Sequence, residues 1–418
     1  MKIICAYPIN LDAIHDVEGK EIEVLSEGAK PELRDEIAST DDLISVLLYC
    51  MREGCGAELL VDGEELARDI QSSFCWRYRL GGNAGIMANV LAKLGAHPVL
   101  NAPALSKRMA EMLHPGVGVP VSGSLMDPLS AAGDSEMIHF VFQFIEGEEI
   151  ATPSGKIVAQ RDNRLIATFD PLNSRLQTNP DFDSYCQKEI NDFDGALVSG
   201  FHLVPLSHYK EIFDLKIEQF KSWKEANPSI YIHAEMGSFQ RPEIMKYLMK
   251  RLPVDSLGLN EDELARAVDI ESGWRGMLDG VLQLKRSLGF SRVSVHARDF
   301  ILSAAEPMIS AESEMMALRR GADAAAAMAS TGDIFGAIPE EINPSGLKAK
   351  EDLCAIGADP LGRGAVMHSG DTTICFVPSL LVRHPRFTVG LGDTATAAIF
   401  YEEVMARKNN IHRSKNRS

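Results

Sequence analysis

Residues 229–263 read SIYIHAEMGSFQRPEIMKYLMKRLPVDSLGLNEDE. Two short apolar runs, Ser229–His233 and Val254–Leu259, have the character of strands buried on both faces. Each run leads into acidic residues, His233-Ala234-Glu235 in the first and Asn260-Glu261-Asp262-Glu263 in the second. The pattern continues outward in both directions. Lys2–Tyr7, Pro98–Asn101, Ala196–Ser199, Arg292–His296 and Thr373–Val377 read as further strands. Helix-period segments lie between them, such as Asn83–Leu94 closed by Gly95 and Ala311–Ser330 closed by Gly332. Strands alternating with helices require right-handed crossovers, so the expected fold is α/β, doubly wound around a mostly parallel sheet.

One region has a different period. Glu136–Phe144 (EMIHFVFQF) alternates polar and apolar residues, Glu148–Ile150 follows Gly147, and Arg164–Phe169 follows a charged turn. This is the pattern of a half-solvated antiparallel sheet, and Lys20–Val24 shares it. The expected organisation is a large domain from 1–12, 81–132 and 173–418, with a smaller, mainly β domain from 13–80 and 133–172 laid over its mouth. The helix at 41–53 falls in the smaller domain, with packing on the large domain as the alternative. Arg407–Ser418, with five basic side chains, reads as a frayed tail.

Composition narrows the function. Among 418 residues, Lys+Arg number 42 and Asp+Glu 59, a net charge of −17. Binding to duplex nucleic acid needs a basic face, which this balance opposes. No apolar run is long enough to span a membrane. The amino terminus, MKIICAYPIN, reads as a strand without a signal-peptide cleavage pattern. The seven cysteines are scattered and lack metal-ligand spacing, as in a reduced, cytoplasmic protein.

Four constellations carry chemistry. Thr388-Val389-Gly390-Leu391-Gly392-Asp393-Thr394 opens an amphipathic stretch. Its glycines let backbone N–H groups approach a ligand, the helix start favours an anion, and Asp393 stands beside it as a candidate general base. A plain loop with Asp393 as helix cap is the alternative. Gly81-Gly82-Asn83 offers a close backbone approach and an amide, without dinucleotide spacing and without a strand before it. Glu235 and Glu263, at successive strand carboxyl ends, face the crevice of a parallel sheet and suit Mg²⁺ or its waters. For Asn260–Glu263 a helix cap is equally compatible. Asn10 and Asp12 project to one side of an extended chain and suit a pair of hydroxyls, or else a turn.

Together these residues resemble a known family. Asn10-x-Asp12, Glu58 in Ala57-Glu58-Leu59-Leu60, GGNAGIMAN from Gly81, Asn163-Arg164, HAE from His233, GLNEDEL from Gly258 and VPSLLVRHPRFTVGLGDT from Val377 are similar to the archaeal-type ADP-dependent sugar kinases. That family comprises glucokinases and phosphofructokinases within the ribokinase-like kinases. The resemblance runs in order from residue 3 to about residue 405. It implies a ribokinase-like sheet with a β lid, and transfer of the β-phosphoryl group of ADP to a sugar or sugar-phosphate hydroxyl, leaving AMP. It implies Asp393 as base, with Gly390, Gly392 and Arg164 stabilising charge and Glu235 and Glu263 placing Mg²⁺. Asn10, Asp12, Glu58, Gly82, Asn83 and His202 would meet the sugar. Asn260, Thr388 and Leu391 would meet the nucleotide, with Val377, Pro378 and Arg383–Phe387 walling the adenine.

Asn83 and His202 stand where the family usually has glutamine or a Tyr-Gln pair, and Asp62 competes with Glu58 for the sugar carboxylate. A carboxylate suits a neutral hexose, whereas Lys156, Arg161 and Arg164 suit a phosphate. The altered amide and imidazole tilt the expectation slightly toward a phosphorylated or non-glucose acceptor, with glucose retained. Two rivals remain at this stage: an ATP-dependent ribokinase-like kinase, and a non-catalytic nucleotide or sugar sensor. The expected partners are small molecules, in a monomer or small homo-oligomer.

Overall fold

The computed structural model describes residues 1–415 except 19, 21, 24–28, 153, 154 and 240, with backbone alone for 411–415. Ten strands form its main sheet. His97–Leu100, Lys2–Ala6, Gly195–Val198, Tyr231–Glu235, Ser256–Asn260 and Arg292–His296 run parallel in that spatial order. Phe300–Ala305, Thr372–Pro378, Gly364–Ser369 and Asp359–Leu361 continue the sheet with antiparallel pairings. The sheet is therefore mixed. The parallel half is the one whose strands read as apolar runs joined by helices.

Side chains along each central strand divide by parity, as the two-residue period requires. Ile4, Ala6, Ala196 and Val198 enter the core on one face, with Phe213, Phe220 and Leu248. Ile3, Cys5 and Leu197 enter the other, with Met87, Leu91 and Phe400. On that second face helices Asn83–Lys93, Ala311–Thr331 and Leu391–Lys415 pack side by side. The 311–331 helix ends as its sequence predicts, on Gly332 at φ 81°. The last helix continues to Lys415, so residues 407–415 are helical rather than frayed; residues 416–418 lie outside the described part.

A second sheet has the order Ala57–Leu60, Asn163–Phe169, Ile138–Phe144, Asn10–Asp16, Arg77–Gly81. The chain enters it by Asn10, before the expected crossing after residue 12. Arg77–Gly81 is a strand paired with Asn10–Ile14, although the sequence ahead of Gly82 did not read as one. Phe140, Phe142 and Phe144 face one side of this sheet, into a core shared with Leu43, Leu47 and Met51 of helix Thr40–Glu53. That helix covers the second sheet. Part of the stretch 20–24 lies outside the described residues; Lys20, Ile22 and Glu23 are helical, not extended. Glu149–Thr152 and Gly155–Val158 form a separate two-stranded ribbon.

Candidate active site

The carboxyl ends of the parallel strands and the uncovered face of the second sheet enclose a cleft of about 360 Å³. The polar positions of the alternating strand Ile138–Phe144 serve this cleft. His139 lines it, and Gln143 Nε2 reaches Thr388 Oγ1 at 3.3 Å, across from the second sheet to the glycine loop. From the neighbouring strand Arg164 and Ile166 line it, while Thr168 Oγ1 donates to Glu58 Oε1 at 3.3 Å.

The glycine loop forms one wall, through Thr388, Val389, Gly390, Leu391, Gly392 and Asp393. Gly390 has φ 76°, a conformation that side chains disfavour, and the helix starts at the next residue. Its first turn leaves N–H groups without intrahelical acceptors, aimed where an anion can sit. Asp393 Oδ1 accepts from Asn83 Nδ2 at 2.6 Å. Asn83, expected at the sugar, lines the cleft and donates its amide N–H to Asp393. Burial pushes the Asp393 carboxyl up to about 6, with Asn83 pulling down and the Glu235 charge pushing up.

This sets a pH dependence. In the role of base expected for it Asp393 would have to be ionised, and kcat/KM is then expected to fall as pH drops through about 6. The Asn83 N–H stabilises the ionised form, so Asn83→Ala should raise the Asp393 pKa and move that acid limb to higher pH. A pH–rate profile checks it; a limb that stays put or moves down would show that this bond does not tune Asp393.

Glu58 stands at the far end, among imidazoles. His202 Nε2 lies 3.4 Å from its Oε2 and His139 Nδ1 lies 3.9 Å from its Oε1. Burial opposes its charge, but His202 and His139 outweigh that and hold the carboxyl down at about 2. Both imidazoles are lifted in turn: burial works against them, and Glu58 for His202 and Asp170 for His139 overcome it. His139 Nε2 lies 2.9 Å from Asp170 Oδ2. Asp62 is exposed and lines no part of the cleft, whereas Glu58 lines it. His202 fits only because Gly237 has no side chain; a Cβ there would come 2.0 Å from its Nδ1.

Asn10 Nδ2 donates to Asp12 Oδ1 at 2.9 Å, and both line the cleft beside Gly82. Asn10 Oδ1 and His202 Nδ1 are buried with no hydrogen-bond partner among the described residues. Such orphaned groups are costly unless something hydroxylic satisfies them. Gly82, at φ 76°, passes so close to Pro8 that a Cβ would meet its carbonyl oxygen at 2.6 Å.

Below the glycine loop Glu235 is a hub. His296 Nε2 lies 2.7 Å from its Oε1, while Thr396 Oγ1 at 2.9 Å and His233 Nε2 at 3.2 Å reach its Oε2. Burial opposes charge on His296, but Glu235 overcomes it and lifts the imidazole to about 9. Glu263 closes a capping box with Asn260: its Oε2 accepts from Asn260 N at 2.9 Å, and Asn260 Oδ1 accepts from Glu263 N at 2.9 Å. The helix-cap alternative is thus realised, and yet Asn260 and Glu263 both line the cleft. Burial first and the Glu235 charge second push the Glu263 carboxyl up to about 7.

Several expected residues lie elsewhere. Val377 and Pro378 do not line the cleft: their strand is interior to the sheet and both are buried, Val377 against Met315 and Leu318 beneath the helices. Arg383 pairs with Glu341, and Phe387 covers Gly332, so the stretch before Thr388 turns away as well. Lys156 pairs with Glu149 on the ribbon and Arg161 donates to the Gly54 carbonyl, neither in the cleft. Sequence reasoning missed His139 and His296. Each stands at a patterned position, the polar parity of a half-exposed strand for His139 and a parallel strand's carboxyl end for His296.

A family model described as the ADP-specific phosphofructokinase/glucokinase conserved region matches residues 1–402. The chain belongs to this family. It is therefore a sugar kinase, a phosphotransferase. An ADP-dependent glucose/glucosamine kinase of Pyrococcus furiosus is 27% identical over 438 residues, covering 96% of this chain and 94% of the relative. An ADP-specific phosphofructokinase of Methanosarcina acetivorans is 28% identical over 459 residues, covering 94% and 91%. In structure the kinase matches an ADP-dependent kinase complex with fructose 6-phosphate and ADPβS at TM-score 0.82, with 25% identity and coverage of 97% and 94%. It matches a hypothetical ADP-dependent phosphofructokinase from Pyrococcus horikoshii at TM-score 0.78, with 25% identity and 98% coverage of both chains. Among the described residues of the kinase no helix is long and apolar enough to cross a membrane.

Proposed function

We propose that this kinase transfers the β-phosphoryl group of ADP to a hydroxyl of an unphosphorylated hexose, releasing AMP. The family supports ADP as donor. One observation carries the choice of acceptor: the carboxylate at the sugar end, Glu58, is ionised and held between two imidazoles, while Lys156 and Arg161 are bonded outside the cleft. A carboxylate hydrogen-bonds a neutral hydroxyl and repels a phosphate dianion. Asn10, Asp12 and His202 complete a hydroxyl-binding set, and Asp393 takes the proton of the attacking hydroxyl. The first-turn N–H groups at Gly392 and Asp393, with Arg164 opposite, receive the charge that develops on the transferred group. The second sheet acts as a lid that keeps water from the donor.

Mg²⁺ fits beside Glu263. That carboxyl is pushed up by burial and by its neighbour, a condition a cation relieves. Glu235 already receives three donors, so it reaches a cation only through water. Among the described residues no cluster of three or more His, Cys, Asp or Glu is arranged to hold an ion, as suits a metal carried largely by phosphates. When bound, the ion would neutralise charge on the donor's phosphates. Glu263→Gln is expected to raise the Mg²⁺ concentration for half-maximal activity about tenfold; a titration identical to the parent's would return Glu263 to a purely capping role.

The test is an acceptor panel run with ADP and with ATP. Glucose or glucosamine turned over with ADP at higher kcat/KM than fructose 6-phosphate supports the proposal. Preference for fructose 6-phosphate would make Arg164 the phosphate reader and overturn the acceptor assignment.

A further inference from the structure

A seam of buried polar side chains runs under helix Leu391–Lys415, from its middle to the cleft. At the inner end Arg292 Nε donates to Glu314 Oε1 at 2.9 Å and pairs with Glu403. Arg292 Nη1 donates to Ser294 Oγ at 2.9 Å and Ser256 Oγ at 3.3 Å. Ser256 Oγ lies 2.8 Å from His233 Nδ1, and His233 Nε2 lies 3.2 Å from Glu235 Oε2. Glu235 then holds His296, whose ring lies flush under the glycine loop: a Cβ on Gly392 would come 2.9 Å from its Cε1.

This seam is a poor stabilising device. Arg292, Glu314 and Glu403 are at most 3% exposed, and Arg292 Nη2 and Glu314 Oε2 have no hydrogen-bond partner among the described residues. Apolar residues of similar volume in such a place are often neutral or stabilising, so the buried charges call for another reason. The direction of its hydrogen bonds supplies one. Arg292 has only protons to give, so Ser256 Oγ accepts from it and keeps its own proton for a neighbour, His233 Nδ1 or the Tyr231 hydroxyl. The Glu235 carboxylate beside Nε2 favours the ring proton there, which leaves Nδ1 bare to accept from the Ser256 hydroxyl. The opposite tautomer would set a lone pair against that carboxylate.

We propose that Arg292 and Ser256 are positioning residues that fix the Nε2–H tautomer of His233, and through it hold Glu235 and the His296 ring beneath the phosphoryl-binding loop. The proposal applies to whichever acceptor the kinase uses. Gly258 belongs to the same arrangement, because a Cβ there would come 2.1 Å from Glu235 Oε2 and 2.8 Å from His233 Nε2.

The test pairs ¹⁵N NMR of histidine-labelled full-length protein with steady-state kinetics on the best acceptor. In the parent, His233 should show a protonated Nε2 and a bare Nδ1; a protonated Nδ1 overturns the proposal without any variant. Ser256→Ala should alter that ring signature and lower kcat about tenfold, the scale for losing a partner that orients a site residue. The acceptor KM should stay near the parent's, because Glu58 and Asn10 lie elsewhere in the cleft. Ser256→Thr, which keeps the hydroxyl, should restore the signature and the rate. A fall in kcat with the parent's ring signature, or a changed signature with unchanged kcat, overturns the proposal. Should Ser256→Ala not fold, Thr396→Val removes another donor to Glu235 from the helix side. It should lower kcat with the acceptor KM unmoved, and parent-like kcat there would equally overturn it.

Discussion

Asp393→Asn is expected to lower kcat by about 10²–10⁴-fold, the range for loss of a general base. The amide keeps the shape of the first helical turn and can still accept from Asn83 through its oxygen, but it takes no proton from an attacking hydroxyl. ADP affinity should stay within a few-fold of the parent, because Gly390, Leu391 and Gly392 present their backbone unchanged. Steady-state kinetics with equilibrium nucleotide binding separates the two quantities. Turnover within about threefold of the parent would remove Asp393 from the role of base, since the effect sought is at least an order of magnitude larger.

Glu58→Ala carries the second large effect. In the parent its carboxylate receives Thr168 and lies among His202 and His139, so a hydroxyl bound there meets an acceptor held in place from three sides. Losing a charge-assisted hydrogen bond costs about 1.5–3 kcal/mol, or about 10- to 150-fold in kcat/KM for an unphosphorylated hexose. With the carboxylate gone its repulsion of a phosphate dianion goes too, so a sugar phosphate should be spared or improved. The ratio of kcat/KM for glucose to that for fructose 6-phosphate reads this directly. An unchanged ratio would mean that Glu58 is not what distinguishes the two acceptors.

The acid–glycine motifs could be read from sequence because they sit where strand and helix signals are strong. Glu235 and Asn260 end apolar runs, and Asp393 follows two glycines at a helix start; local pattern and site coincide there. The second sheet was only half legible. Ile138–Phe144 and Asn163–Phe169 alternate cleanly, whereas Ala57–Leu60 and Arg77–Gly81 are short and half-exposed, with little period to detect. Val377 and Pro378 show how nearness in sequence differs from nearness in the cleft. They adjoin the glycine loop in sequence, but the antiparallel pairing with Phe300–Ala305 carries their side chains into the core. His139, His296 and Arg292 acquire their roles from partners far along the chain, Asp170, Glu235 and Glu403. No local pattern encodes such pairings, because a buried charge looks like a solvated one until its partner is known.

The position of the amino-terminal strand has a consequence for how the kinase is made. Lys2–Ala6 lies between His97–Leu100 and Gly195–Val198 in the finished sheet. During synthesis it emerges well before Gly195–Val198, its second neighbour, exists. The adjoining strand Asn10–Asp16 waits in the same way for Ile138–Phe144. Both sheets are therefore completed by distant segments, and neither can close as an independent unit at the ribosome. Pairings of such long sequence separation are slow to form and leave apolar strand edges open meanwhile. Truncations that end before residue 195 should thus emerge as aggregation-prone chains.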